Sequence, residues 1–201
     1  MPLPPDLVLA LAAQCAPGVA PATLLAVART ESALDPFAIG VNGPTARRRP
    51  ARSAAEAVST ARALLQSGHD LDLGLAQINV RNLPRLGLTL EAAFDPCRNL
   101  SAAAHVLRDG YARGAARHGP GQPALRIALS YYNTGRAERG FANGYVARVT
   151  AQAGLPPERI HRPPLAVAAA TSAPGLSDAF GRAGGARLTA SFVFTSSGAT
   201  P

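Results

Sequence analysis

The sequence contains no lysine and no tryptophan, and all 20 of its basic residues are arginines. Together with 12 acidic residues they give a formal net charge of +8. Strongly basic proteins often bind polyanions, such as nucleic acids, anionic lipids or acidic polymers. A GC-rich genome that encodes surface charge as arginine would produce the same composition without any such partner. Charge alone therefore selects no function.

A nucleic-acid-binding pattern is also missing. The densest basic cluster consists of residues 47–49 and Arg52, is interrupted by Pro50 and contains no aromatic residue. Nucleic-acid-binding proteins usually combine basic clusters with aromatic side chains or carry a recognisable motif. We therefore interpret the cluster as a solvated loop and expect no nucleic-acid partner.

Long apolar runs are absent as well. No stretch approaches the roughly 20 apolar residues that a membrane-spanning helix requires, so we predict no membrane span. Residues 7–13 are apolar, but no positive charge precedes them, which makes them a poor secretory signal. Export would require either a signal that has been removed or another route.

The sequence has two cysteines, Cys15 and Cys97. Neither has a second cysteine or a histidine at metal-ligand spacing, so we expect no metal site. In an exported protein the two could pair and close a long loop, whereas in the cytosol they would be two small core residues.

Runs of β-branched residues are scarce through about residue 153, where alanine and other helix-compatible residues dominate. We predict a mainly α fold with little β structure. Capping residues, prolines and 3.6-residue apolar periodicity predict helices near 6–16, 21–34, 53–68, 95–118, 123–134 and 141–153, with Asp6, Ser53 and Asp95 as N-terminal caps. Residues 70–74 are short and polar, and residues 75–83 are predicted as a helix or an extended turn.

The composition changes after residue 155 to proline, alanine, glycine, serine and threonine. Few large apolar residues remain, apart from a possible strand at residues 191–195. We therefore predict a folded domain at residues 1–155 and a flexible tail at residues 156–201.

Glu31 is an unusual carboxylate, because it shares one helix face with Leu24, Val27 and Ala28. Partial burial would raise its pKa, as a general acid acting near neutral pH requires. Taken alone, a glutamate near a helix end more often pairs with an arginine.

Three more polar segments have the same ambiguity. Ser32 can donate to a sugar oxygen or to local backbone. Gln77 and Asn79 suit hydrogen bonds with sugar hydroxyls and N-acetyl groups, but such amides are also common in turns. Tyr132 and Asn133 precede a glycine that can end a helix, which is consistent with core packing alone.

Three segments resemble, in order along the chain, the ES, GLMQ and AYN motifs of the soluble lytic transglycosylases. They are Glu31-Ser32, the run Gly-Leu-Ala-Gln-Ile-Asn at 74–79, and Tyr132-Asn133-Thr134-Gly135. The resemblance covers roughly residues 6–153. The helix at 53–68 and the segment at 95–100 are similar to the VirB1 branch, which serves type IV secretion and conjugation systems.

The resemblance implies a goose-type lysozyme-like fold whose cleft binds peptidoglycan glycan strands in the periplasm, without a cofactor. Glu31 would act first as the acid and then as the base, leaving a 1,6-anhydromuramic end. Tyr132 would lie over Glu31 or over the sugar ring on which the oxocarbenium charge develops. The other candidates, Ser32, Gln77, Asn79 and Asn133, would bind sugar groups. Components of a type IV secretion system are the implied protein partners. For the exported protein we also predict a disulfide between Cys15 and Cys97.

The sequence departs from the family pattern at two places. Residues 38–42 lack the serine that contacts an N-acetyl group in many relatives, and Ala76 replaces a larger methionine, which would widen the cleft floor. Two alternatives remain open: a hydrolytic muramidase that uses Asp35, Asp70 or Asp72 as a base, and a noncatalytic peptidoglycan-binding module.

Overall fold

The computed structural model describes residues 1–43 and 50–154, and the structural statements below refer to these residues. The predicted mainly α fold is confirmed. The described residues form seven α-helices: α1 (Pro5–Cys15), α2 (Pro21–Ser32), α3 (Ala54–Gln66), α4 (Pro96–His118), α5 (Gln122–Thr134), α6 (Arg139–Ala142) and α7 (Tyr145–Gln152).

Three short strands form a small antiparallel sheet that was not predicted. Its strands are β1 (Ile39–Asn42), β2 (Asp70–Leu73) and β3 (Ile78–Asn79), in the order β1-β2-β3. Strand β2 alternates between aspartates and fully buried leucines, as expected of a strand with one face on the core. Residues 75–83 were predicted as a helix or an extended turn. Residues 74–77 do form a turn, but the prediction missed β3, which follows this turn and continues into a 3-10 turn.

Two of the predicted N-terminal caps are confirmed. The Asp95 carboxylate accepts a hydrogen bond from Arg98 N at 2.8 Å, and Ser53 Oγ accepts one from Glu56 N at 3.2 Å. The Asp6 cap is wrong: α1 begins at Pro5, so Asp6 lies in the first turn, where its charge still favours the positive end of the helix dipole.

The last predicted helix, 141–153, is two helices. Chain direction changes at Asn143 and Gly144, and Gly144 has a φ of 76° that only glycine adopts without strain. Helix α2 likewise ends two residues earlier than predicted, because Ala33 and Leu34 have left-handed φ angles of 53° and 67°. Such angles are unfavourable for alanine and leucine, and they occur immediately after Glu31-Ser32.

Helices α4 and α5 pack closely because small residues meet at their interface. A Cβ atom at Gly110 would lie 3.0 Å from Ala128 Cα, and one at Gly114 would lie 2.9 Å from Ala124 O. Any larger side chain at these two glycines would separate the helices. The C-terminal turn of α5 reaches the turn at 74–77, where Tyr132 donates a hydrogen bond to Ala76 O.

The predicted disulfide between Cys15 and Cys97 is present. It joins the last residue of α1 to the first turn of α4, with 5.4 Å between the two Cα atoms. None of the described helices is long and apolar enough to cross a membrane. The basic residues 47–49, the tail at 156–201 and the predicted strand at 191–195 lie outside the described residues, so the boundary at residue 155 stays a prediction.

Candidate active site

A cavity of about 550 Å³ is lined by residues from α2, the sheet, α4 and α5. It brings together five of the six predicted site residues, which are Glu31, Gln77, Asn79, Tyr132 and Asn133. They come from segments far apart in the sequence. The sixth predicted residue, Ser32, is not among the residues that line the cavity.

Glu31 lies on the last turn of α2 and is half-buried. Burial raises the pKa of its carboxyl group to about 7, and the negative charge of Asp72 acts in the same direction. A hydrogen bond from Tyr145 and the positive charge of Arg148 partly oppose this rise in pKa. A carboxyl group with a pKa near 7 can both donate and accept a proton at neutral pH.

Tyr145 is the partner that the sequence did not reveal. Its Oη donates a hydrogen bond to Glu31 Oε1 at 2.5 Å, and its side chain is almost fully buried. Burial and the nearby Glu31 carboxylate raise the pKa of the Tyr145 hydroxyl, so it remains a neutral donor. Arg148 lies over the same ring, 5.9 Å from its centroid. Tyr145 therefore fixes the orientation of the Glu31 carboxyl group.

Asn133 connects the cavity to Tyr145. Its Oδ1 accepts a hydrogen bond from Asn143 Nδ2 at 2.8 Å, and Asn143 Oδ1 accepts one from Tyr145 N at 3.0 Å. The Asn133 Nδ2 group makes no hydrogen bond within residues 1–43 and 50–154, so it is available to the cavity.

The hydroxyl of Tyr132 is directed to the backbone. Its Oη donates to Ala76 O at 2.6 Å, whereas Tyr145 supplies the hydrogen bond to Glu31. Burial, followed by the charges of Glu31 and Asp72, raises the pKa of Tyr132 well above its usual value. Ala76 itself is fully buried and is not among the residues that line the cavity.

Ser32 attaches α2 to the run at 74–79. Its Oγ lies 2.6 Å from Leu75 O and 3.1 Å from Ala28 O, both carbonyl acceptors. Because a hydroxyl has one hydrogen, the shorter contact identifies Leu75 O as the main acceptor. Ser32 thus fixes the position of the helix turn that carries Glu31.

Asn99 also holds the run at 74–79 in place, and it was not singled out from the sequence. It is fully buried on α4; its Nδ2 donates to Leu73 O at 2.9 Å and Ala93 O at 2.7 Å, and its Oδ1 accepts from Ala76 N at 2.8 Å. Gly74 has a φ of 75°, and a Cβ atom there would collide with Ala93 O and the Asn99 amide. The sequence could have indicated Asn99, because it is a polar residue on the otherwise apolar face of α4.

Replacing Asn99 with alanine is expected to lower the free energy of unfolding by about 3 kcal/mol, because three buried backbone groups lose their partner. Urea unfolding measures the difference. Ser101→Ala, at an exposed position on the same helix, is the matched control and should change stability little. A loss below about 1 kcal/mol for Asn99→Ala would contradict the role assigned to this network.

Gln77 offers one polar atom to the cavity. It has a left-handed φ of 50°, and its Nε2 donates to Ala38 O at 3.1 Å and Gly74 O at 2.9 Å. Its Oε1 approaches Gly40 so closely that a Cβ atom there would lie 2.5 Å away. The amide nitrogen is therefore occupied by backbone, and the amide oxygen remains as the acceptor.

The side chain of Asn79 is used within the sheet. Its Nδ2 donates to Asp70 Oδ1 at 3.0 Å and Asp72 Oδ1 at 2.9 Å, while its Oδ1 accepts from Arg81 N at 3.0 Å. Asp72 also lines the cavity, whereas Asp70 and Asp35 do not.

Positive charge and an aromatic surface lie at another part of the cavity lining. Arg113 is 5.5 Å from the centroid of the Tyr131 ring, and Arg85 lies 3.4 Å from Asp109.

In the described part of the chain, no group of three or more histidine, cysteine or acidic residues could hold a metal ion.

Comparison with known proteins gives a family match and several relatives. The family model described as "Transglycosylase SLT domain" matches residues 8–153. The type IV secretion system protein virB1 of Brucella suis is 41% identical over 177 residues, covering 83% of this chain and 74% of that protein.

Two further relatives are similar over a shorter span. Protein virB1 of Agrobacterium tumefaciens is 46% identical over 154 residues, covering 76% of this chain and 64% of the relative. The Brucella abortus virB1 protein is 43% identical over 153 residues, covering 73% of this chain and 64% of that relative. The chain thus spans slightly less than two thirds of these two proteins. No solved structure matches the chain.

Proposed function

The chain belongs to the transglycosylase SLT domain family, and on that basis we propose that it is a peptidoglycan lytic transglycosylase. Its substrate would be the β-1,4 bond between N-acetylmuramic acid and N-acetylglucosamine. The observation that carries this proposal is the Glu31 carboxyl group, which lines the cavity, has a pKa of about 7 and is oriented by Tyr145.

One carboxyl group suffices for this reaction. Protonated Glu31 donates its proton to the glycosidic oxygen as the bond from that oxygen to C1 of the muramic residue breaks, and positive charge develops on the muramic ring. The Glu31 carboxylate then takes the proton from the C6 hydroxyl group, whose oxygen forms a bond to C1. The product is a 1,6-anhydromuramic end, and no water is consumed. A pKa near 7 suits both proton transfers.

The predicted sugar-binding residues divide into two groups. Gln77 Oε1 and Asn133 Nδ2 are the polar atoms available to the cavity, and we assign them to sugar hydroxyl or N-acetyl groups. The Ser32 and Asn79 side chains make hydrogen bonds within the protein, so we assign them to holding the cavity walls. Tyr132 has the same wall-forming role through its hydrogen bond to Ala76 O.

The disulfide and the relatives support a proposal for the cellular context. Disulfides persist in oxidising compartments, which favours an extracytoplasmic protein. All three relatives from Brucella and Agrobacterium are named virB1 proteins, and the Brucella names identify type IV secretion system proteins. We therefore propose that the protein acts in the periplasm and opens the wall locally for a type IV secretion apparatus. The net charge of +8 suits the acidic peptides attached to the glycan strands.

Incubation of the purified protein with peptidoglycan sacculi tests whether it is an enzyme. We expect soluble muropeptides to accumulate with time and in proportion to the protein concentration. A protein that sediments with the sacculi but releases no muropeptides would instead be a noncatalytic binding module. Hydrolytic cleavage is the second candidate, favoured by the presence of Asp72 in the same cavity as Glu31.

Tyr145→Phe should change the pH dependence of the reaction. Glu31 must be protonated to begin catalysis, so activity should fall as the pH rises through about 7. The Tyr145 hydrogen bond lowers the pKa of Glu31, so its removal should move this alkaline limb to higher pH. Muropeptide release measured across pH tests this, with Tyr111→Phe, outside the cavity, as the control. An alkaline limb that stays in place or moves to lower pH would refute the assigned contact.

A further inference from the structure

Asp72 is directed into the cavity because successive side chains of β2 lie on opposite faces of the strand. Its neighbours Leu71 and Leu73 are fully buried in the core, so Asp72 lies on the opposite face of the strand. There it lines the same cavity as Glu31 and is close enough for its charge to act on that group.

Both oxygens of Asp72 are held by amide donors. Asn79, the residue paired with Asp72 in the sheet, donates to Oδ1 at 2.9 Å, and Asn42 donates to Oδ2 at 3.0 Å from the other neighbouring strand. Because an amide NH₂ group can only donate, both oxygens act as acceptors, which is the arrangement of an ionised carboxylate. The side chain is therefore fixed in orientation, with both oxygens engaged as acceptors.

Asp70 shows what distinguishes Asp72. Asp70 lies on the same strand and face and accepts a hydrogen bond from the same Asn79 amide at 3.0 Å. Arg81 lies 3.3 Å from Asp70 and forms an ion pair with it, and Asp70 does not line the cavity. For Asp72, residues 1–43 and 50–154 supply no arginine or histidine within ion-pair distance. Its negative charge therefore acts on the cavity.

We propose that Asp72 remains ionised throughout the reaction and stabilises the positive charge on the muramic ring, while Glu31 alone transfers protons. This inference rests on the proposed transglycosylase function. A fixed carboxylate in a partly desolvated cavity favours a nearby positive charge without any reorganisation during the reaction. Because the same charge disfavours ionisation of Glu31, Asp72 also keeps the acid protonated for the first step.

The test compares Asp72→Asn with Asp70→Asn in the full chain, using sacculi as the substrate. Asp72→Asn should lower kcat by a factor of about 10², with KM changed by less than a few-fold. Asp70→Asn should leave both constants close to those of the wild type. Each substitution preserves the size of the side chain, and thermal unfolding of the two variants checks that both are folded.

The pH dependence separates a charge effect from a structural one. Tyr145 and Arg148 face Glu31 from α7, Tyr132 faces it from α5, and Asp72 faces it from β2. Removing the Asp72 charge should lower the pKa of Glu31, so the alkaline limb of kcat should move to lower pH in Asp72→Asn only. NMR titration of the Glu31 carboxyl group should show the same shift without substrate.

The inference is overturned if Asp72→Asn matches Asp70→Asn in kcat and in the pKa of Glu31. It is also overturned if Asp72→Asn only raises KM and lowers the melting temperature while the alkaline limb stays in place. A wild-type protein that releases no muropeptides would overturn the proposed function itself, and this inference with it. The wild-type reaction therefore distinguishes the two failures.

Discussion

Replacing Glu31 with glutamine is expected to lower the rate of muropeptide release by a factor of about 10³, because the variant loses both the acid and the base of the reaction. The glutamine side chain has nearly the same shape, and its oxygen can still accept the hydrogen bond from Tyr145. Glu138→Gln, at an exposed position outside the cavity, is the matched control and should retain wild-type activity. Residual activity within about tenfold of wild type would show that another group performs the proton transfers.

The same variant should become more stable relative to the wild type as the pH rises. The pKa of Glu31 is raised from 4.5 to about 7 on folding, so between these values the unfolded chain loses a proton that the folded protein retains. Wild-type stability therefore falls as the pH increases through this range, and the full penalty is present above it. Glutamine does not titrate.

Between about pH 5 and about pH 8, the difference in unfolding free energy should change by about 2 to 3 kcal/mol in favour of the Glu31→Gln variant. Urea unfolding of both proteins at the two pH values measures this change. An equal difference at both values would mean that burial does not raise the pKa of Glu31.

Removing the disulfide by the double substitution Cys15→Ala and Cys97→Ala should lower the free energy of unfolding by about 4 to 5 kcal/mol. The bond links residues separated by 82 positions, so it restricts a large part of the unfolded chain. The enclosed segment contains α2 with Glu31, the whole sheet and the run at 74–79. The loss should therefore affect the fold of the cavity as a whole.

Reduction of the wild-type protein provides the comparison for this variant. A reductant should lower wild-type stability by a similar amount and leave the cysteine-free variant unchanged. If the variant unfolds within about 1 kcal/mol of the oxidised wild type, the bond does not contribute as the loop-closure argument requires. Two free thiols in a nonreducing mass measurement after oxidative refolding would contradict the bond itself.

Local signals in the sequence were sufficient for most helices. Ser53 and Asp95 are capping residues followed by apolar periodicity, and α3 and α4 begin immediately after them. The sheet was missed because each strand has four residues or fewer, too short to establish a period of two. The final helix was predicted as one because its apolar pattern continues across Asn143-Gly144. In the structure Gly144 has a positive φ, which interrupts the helix there.

The site could be predicted in composition but not in its hydrogen bonding. Motif resemblance singled out five residues that line one cavity, with Glu31 among them. Tyr145, however, is 114 positions from Glu31, and Ser32 is 43 positions from Leu75. Such contacts depend on how helices and sheet pack, so no local pattern indicates which polar groups are occupied within the protein.

The run at 74–79 shows how the fold serves the proposed chemistry. Ser32 from α2, Asn99 from α4 and Tyr132 from α5 each make a hydrogen bond to its backbone. Three helices thereby fix a turn that contains a left-handed Gln77. The position of the amide oxygen of Gln77, and of the neighbouring Asp72, therefore depends on the packing of the whole domain.

Digestion of sacculi in water labelled with heavy oxygen tests the central claim most directly. Mass spectrometry of the released muropeptides should show 1,6-anhydromuramic ends, which lack one water relative to reducing ends and carry no label. Reducing muramic ends that carry the label would show that water attacks C1. The protein would then be a hydrolytic muramidase, and the account of Glu31 as sole acid and base in a transglycosylation would be wrong.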